Sequence, residues 1–130
     1  MAEIGKKIIL KFDYMEENSV NSSVTVYSDK TIECVDFVRE NYRKVFGKRP
    51  MTMENLYKFF ESRCFSRDNF GVKELLQMLG LTQYNPYDIV KVTHGHMTCD
   101  HNWIRFEGED LTWETIESGN YQKWVSTYGK

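Results

Sequence analysis

No apolar run in this sequence approaches the roughly 20 residues that a membrane-spanning helix needs, so none is expected to cross a bilayer. Internal repeats, low-complexity tracts and linker-like stretches are also missing, which leaves one domain over residues 1–130. Cysteine is scarce and odd in number: Cys34, Cys64 and Cys99 are far apart and form no CxxC pair. With no secretory leader at the start, that pattern points to a reducing, cytoplasmic setting and away from a disulfide scaffold. An excess of positive charge is absent too. The net charge of −2 removes any whole-molecule electrostatic case for binding nucleic acid or an anionic membrane.

What the sequence does have is aromatic weight, 15% of residues, within an ordinary 41% hydrophobic content. Its charge is also polarised along the chain. Residues 1–38 sum to −3, residues 39–73 to +5 and residues 97–121 to −5. The plainer explanation is oppositely charged elements packed side by side with solvated faces; a basic patch used on a partner is the sharper one.

The hub is Tyr84 to Phe106. Asn85 followed by Pro86 is a helix start, since the Asn side chain caps an orphan amide and Pro at the first helical position loses no needed donor. Gly95 supplies a left-handed helix end. Trp103, Ile104, Arg105 and Phe106 then alternate as a half-buried strand. Upstream, residues 6–14 and 20–28 read as two antiparallel strands joined by Met15–Ser19. From Thr31 to Phe46, Ile32, Val35, Val38, Tyr42 and Val45 recur every three or four positions, a helical stripe. Thr52 caps a second helix carrying Leu56, Phe59, Phe60 and Cys64; Ser66 or Asp68 caps a third through Val72, Leu75, Leu76 and Leu79, closed by Gly80. Asp110 or Thr112 starts a last turn through Trp113 and Ile116. The expected fold is α+β: a small antiparallel sheet, made of an N-terminal hairpin (1–28) and the Trp103 strand, packed against several short helices (31–93), with a return strand and tail over 101–130.

Residues 55–106 contain FFESRCF, KELLQMLGL, YNPYDIV, THGHM and DHNWIRF in that order. This frame resembles a family of short proteins carried by Firmicutes and their mobile elements. The closing DHNWIRF is also similar to a short segment that precedes some HipA-like kinase domains, although no ATP loop, catalytic Asp motif or kinase length is present. The resemblance implies a bacterial or phage origin, in a setting where small single-domain proteins act by binding a host protein, anti-CRISPR inhibitors among them.

Four sets of residues are candidates for chemistry. His94, His96, Cys99 and His101, with Asp100 beside them, put soft and borderline donors within eight positions and are the candidate zinc ligands. Their spacing has no second ligand pair across a loop, and the plainer reading puts His94 at the helix C-terminus with the other two exposed; no resident cofactor is expected. Cys99 or Cys64 with a histidine as a nucleophile, or a carboxylate pair drawn from Asp100, Glu107, Glu109 and Asp110, lacks any spacing that shows a base within reach. Arg39, Arg43, Lys44, Lys48, Arg49, Lys58, Arg63, Arg67 and Lys73 form a basic set able to contact phosphates, with Arg63 and Arg67 flanking a turn; paired to Glu61, Asp68 or the acidic tail they are a solvated face instead. Trp103, Phe106, Trp113, Tyr121 and Trp124 are core or interface aromatics, with Trp103 assigned to the core and Trp124 open.

The ranking that follows favours binding over catalysis. A non-enzymatic factor of a phage or mobile element, acting on a host protein or ribonucleoprotein, comes first. A small nucleic-acid-binding regulator using the basic segment comes second, and a zinc-stabilised domain or metal-dependent enzyme third.

Overall fold

A computed structural model describes residues 7–97 and 99–118. Its first two strands, β1 (Ile8–Glu16) and β2 (Ser19–Tyr27), pair antiparallel across a two-residue turn, tighter than a Met15–Ser19 loop. Glu17 takes the positive φ (53°) that such a turn demands of its first central residue. Strand β4 (Asn102–Phe106) pairs with the other side of β1, bringing Phe106 opposite Phe12 and Ile104 opposite Tyr14.

The segment read as a helix over Thr31–Phe46 is not one. Ile32–Asp36 is a strand, β3, laid along the outer edge of β2 to give the sheet order β3-β2-β1-β4. The three-residue spacing of Ile32, Val35 and Val38 mimics a helical stripe, but these are β-branched residues that fit a pleated surface. The unpaired edge of β2 offers ladder hydrogen bonds that a helix would leave unused. Burial confirms the difference: Ile32 and Val45 are buried while Val35 and Tyr42 are exposed, so the five residues never shared a face. The chain beyond β3 makes only a single 3-10 turn at Asn41–Arg43.

Three helices follow as the pattern indicates, and their caps explain where they start. Thr52 Oγ1 accepts from the Asn55 amide (3.1 Å) at the head of α1 (Met53–Ser62), and Asn85 Oδ1 accepts from Tyr87 and Asp88 at the head of α3 (Pro86–Thr93). Between them, α2 (Val72–Met78) starts at Gly71 and not at Ser66 or Asp68; Ser66 Oγ is instead used in a local turn with the Asp68 amide. Thr112 caps the short α4 (Trp113–Glu117).

One face of the sheet carries Phe12, Tyr14, Val24 and Val26 into the stripes of α1, α2 and α3 (Leu56, Phe59, Phe60, Leu75, Leu76, Ile89, Val90). Each such side chain removed from water contributes about 1.5–3 kcal/mol, and no helix here is long enough to persist without that cover. Because neighbouring strand residues point to opposite faces, Met15 and Trp103 look the other way and form a second cluster with Trp113 and Ile116. The result is an α+β domain whose sheet is covered on one face by α1, α2 and α3 and, at its β1–β4 end, on the other face by α4. No helix among the described residues is long and apolar enough to cross a membrane.

Candidate functional site: a cationic cleft

The wall of the site is the irregular stretch that replaces the expected helix. After β3 the Phe37 amide bonds Asn21 O (2.8 Å), and the chain is then pinned back onto β2 twice: Asn21 Nδ2 donates to Arg43 O (3.2 Å) and the Val45 amide to Ser22 Oγ (3.4 Å). Val45 and Phe46 tuck under as apolar anchors. Gly47, in left-handed geometry (φ 61°), turns the chain outward to Lys48 and Arg49. Facing this wall is the flank of α1 with Lys58, Glu61 and Ser62; between them lie Tyr14, Phe59, Arg63, Asp100 and Asn102. The cleft so enclosed holds about 1030 Å³.

Its electrostatics differ from those of the molecule as a whole. Arg43, Lys44, Lys48, Arg49, Lys58 and Arg63 line it against Glu16, Glu61 and Asp100, six cations to three carboxylates in a chain of net charge −2. Two of the cations are held in close ion pairs, and a third, Lys58, has a longer one. Arg43 pairs with Glu16 (3.0 Å) and Glu40 (2.7 Å), and Arg63 with Asp100. Lys44 Nζ donates only to the neutral Asn41 Oδ1 (3.2 Å), Lys58 stands 3.8 Å from Glu54, and Lys48 and Arg49 have no ion-pair partner among the described residues. In a concave site with low-dielectric walls, neighbouring charges of one sign reinforce one another's field.

Arg63 is the structural surprise. It is 7% exposed, and four of its donors are taken: Nη1 and Nη2 bond the two Asp100 carboxylate oxygens (2.9 and 3.0 Å), Nη2 also bonds Asn102 O (3.0 Å), and Nε bonds Gly95 O (3.0 Å). The guanidinium also lies over the Tyr14 ring, 5.7 Å from its centroid. Burial opposes the Arg63 charge most strongly, but Asp100 together with Tyr14 and Cys99 more than offsets it and raises the pKa. Burial likewise opposes the Asp100 carboxylate, and Arg63 together with the Asn102 amide and His96 more than offsets it and holds that pKa low. Arg63 therefore serves as a clamp that fixes the connection from α3 to β4 and forms the back of the cleft, with few donors left for a phosphate. Gly95 bends that connection at φ 62°, where an added Cβ would meet Ile104 Cδ1 at 3.0 Å and Arg63 Cβ at 3.2 Å.

The other basic candidates divide. Arg43, Lys44, Lys48, Arg49 and Lys58 come together in the cleft. Arg67 does not: it stacks on Tyr84, 4.4 Å from the ring centroid, and donates to Tyr57 Oη (3.2 Å). Lys73 stands exposed on α2, and Trp124, Tyr121 and Tyr128 lie outside the described residues. The residue that sequence reasoning misplaced is Tyr42, assigned to a buried stripe but 85% exposed and part of the cleft lining. The signal was available in Asn41-Tyr42-Arg43-Lys44, an aromatic beside two basic residues.

The histidine and cysteine cluster is pulled apart. His94 Nε2 lies 2.9 Å from Glu109 Oε2, and His101 Nδ1 lies 2.6 Å from Glu17 Oε2. Asp100 is held by Arg63, Cys99 is exposed, and His96 is not exposed as the plainer reading had it but 4% accessible, its ring edge-on to Trp113. Among the described residues no group of three or more His, Cys, Asp or Glu side chains is arranged to hold a metal ion. Burial pushes the Cys64 thiol up to about 12, and burial together with Asp36 does the same to Cys34, so neither is a thiolate at neutral pH. Glu109 is occupied in bonding the Phe106 amide (2.8 Å) as well as His94. Trp103 is fully buried, its indole donating to Glu17 O (2.7 Å).

His96 makes the fold acid-sensitive. Burial, reinforced by the nearby Arg63 charge, lowers its pKa, so the unfolded chain takes up this proton more readily than the folded one. Stability is then lost as pH falls below the free-histidine range, about 6.5. Asp100 and Glu16, both held low, act with the same sign below about pH 4. Urea midpoints measured from pH 8 to pH 5 are expected to fall, and His96→Phe, which keeps a flat ring beside Trp113, is expected to flatten that fall. A variant with the wild-type slope would remove His96 as the cause.

Comparison with known protein families, curated proteins and solved structures gives no match to this chain.

Proposed function

We propose that this protein is a small non-enzymatic binding factor that grips nucleic acid through the cleft between residues 41–49 and α1. The observation that carries this is the local charge: six basic side chains line one concavity of a net-negative chain, and Lys48 and Arg49 among them are exposed without an ion-pair partner among the described residues. Phosphate backbones are bound by such sets through counterion release. This order reverses the one drawn from sequence, where a host-protein partner ranked above nucleic acid; the reversal rests on five basic residues, scattered over Arg43 to Lys58, meeting in one place.

The resemblance to short Firmicutes mobile-element proteins supports a setting inside a bacterial cell, with the phosphate backbone belonging to a host nucleic acid or ribonucleoprotein. An anti-CRISPR-type inhibitor is one form such a factor takes. The test is a titration of a fluorescently labelled 12-nucleotide strand at low salt, with heparin as competitor. Saturable binding that heparin displaces is the expected result; an absence of binding, or binding indifferent to heparin, contradicts the proposal.

A further inference from the structure

Tyr42 gives the cleft a feature that phosphate binding alone does not call for. Its backbone lies in a hydrogen-bonded turn. It sits in the 3-10 turn closed by the Arg43 amide on Glu40 O (3.0 Å) and the Lys44 amide on Asn41 O (3.1 Å), and the next residues are tied to β2 through Asn21 and Ser22. Its ring, by contrast, is committed to nothing: it has no hydrogen bond, ring contact or cation–π contact among the described residues. The other large polar aromatics near basic groups are already engaged. Tyr84 carries Arg67, Tyr57 accepts from Arg67, Tyr87 packs on Phe60 and Phe106, and Tyr14 is buried under Arg63. A hydrogen-bonded turn thus presents one open aromatic ring at a cleft lined by cations.

We infer that the cleft takes single-stranded nucleic acid, with an unpaired base stacked on Tyr42 while Lys48, Arg49 and Lys44 hold the flanking phosphates. This deepens the proposed function and rests on it. Stacking on an aromatic ring needs a base whose face is free, which a duplex keeps covered by its neighbours. Single-strand binders combine these same two parts, a cationic track and an aromatic platform, and they are sequence-tolerant because every base has a π-face. An acidic peptide would use the cations but leave the ring idle. The tyrosine has a defined neighbourhood for this role: Arg43 beside it in the turn is already tied to Glu16 and Glu40, and Lys44, the next residue along, is partly exposed with only a neutral partner.

The experiment compares three labelled probes of one length: a mixed-sequence single strand, an abasic strand with the same phosphates and no bases, and the duplex of the first sequence. Wild-type protein is expected to bind the base-bearing strand more tightly than either of the others. Tyr42→Ala is expected to weaken base-bearing binding by about 5- to 150-fold, the range for losing one stacked base, and to leave abasic binding unchanged. Tyr42→Phe, which keeps the ring, is expected to retain the wild-type affinity. Because Tyr42 is outside the core, both variants should melt with the wild type. Equal affinity for abasic and base-bearing strands, a preference for duplex, or a Tyr42→Ala loss that is the same on both single strands would overturn the stacking inference while leaving the phosphate-binding cleft in place. Failure to bind any of the three probes would overturn both.

Discussion

Arg63→Ala is expected to destabilise the fold by about 3 kcal/mol, a large share of the roughly 5–15 kcal/mol that holds a domain together. The figure is at the low end for breaking a buried ion pair because the Asp100 side chain keeps 33% of its surface in water, whereas that of Arg63 keeps 8%. Removing the guanidinium strands the Asp100 carboxylate and also leaves Gly95 O and Asn102 O without a donor, each a further cost when desolvated. Arg63→Lys should recover little, since one ammonium cannot reproduce a bidentate fork and reach two carbonyls as well. A double-mutant cycle with Asp100→Ala separates the pair from the lost packing: a coupling of about 1.5 kcal/mol or more is expected, and a coupling near zero would mean that Arg63 acts only by filling space.

A large loss of binding is also expected from Lys48→Glu combined with Arg49→Glu. These two changes turn the cleft lining from six basic and three acidic side chains to four and five. Affinity for a single strand should fall by about 10- to 100-fold at low salt, on the order of 0.7–1.4 kcal/mol per side chain. Stability should stay within about 0.5 kcal/mol, because both residues are on the surface without partners among the described residues. Lys73→Glu provides the control. It makes a charge change of the same kind on α2, away from the cleft, and is expected to leave affinity nearly intact. If Lys73→Glu weakened binding as much per charge, the interaction would follow net charge and not the cleft.

Where local rules decide an element, the sequence is a good guide to this fold. Thr52, Asn85 and Thr112 each cap the helix they precede, Asn85-Pro86 opens α3, and the alternation around Phe12 and Trp103 sets the faces of β1 and β4. The failure at Thr31–Phe46 has a specific cause. An apolar spacing of three fits a helix, and only the vacant edge of β2, which is a tertiary fact, makes an edge strand the better use of β-branched residues there. The site was hidden by the same error. The basic residues could be grouped from the sequence, but with Tyr42 assigned to a buried stripe nothing placed an open aromatic ring beside Arg43, Lys44, Lys48, Arg49 and Lys58 in one concavity. Arg63 was illegible for another reason: its partner Asp100 is 37 positions away, and an arginine at a helix end reads the same in sequence whether it is solvated or buried.

The most direct measurement is the affinity for a labelled single strand as a function of salt between 50 and 200 mM. Three to four unneutralised cations in the cleft predict a slope of log K against log salt of about −2 to −3, that is, a loss of about 16- to 64-fold over that range. A slope near zero, or an affinity that does not respond to the charge of residues 48 and 49, would contradict a cationic cleft as the binding site.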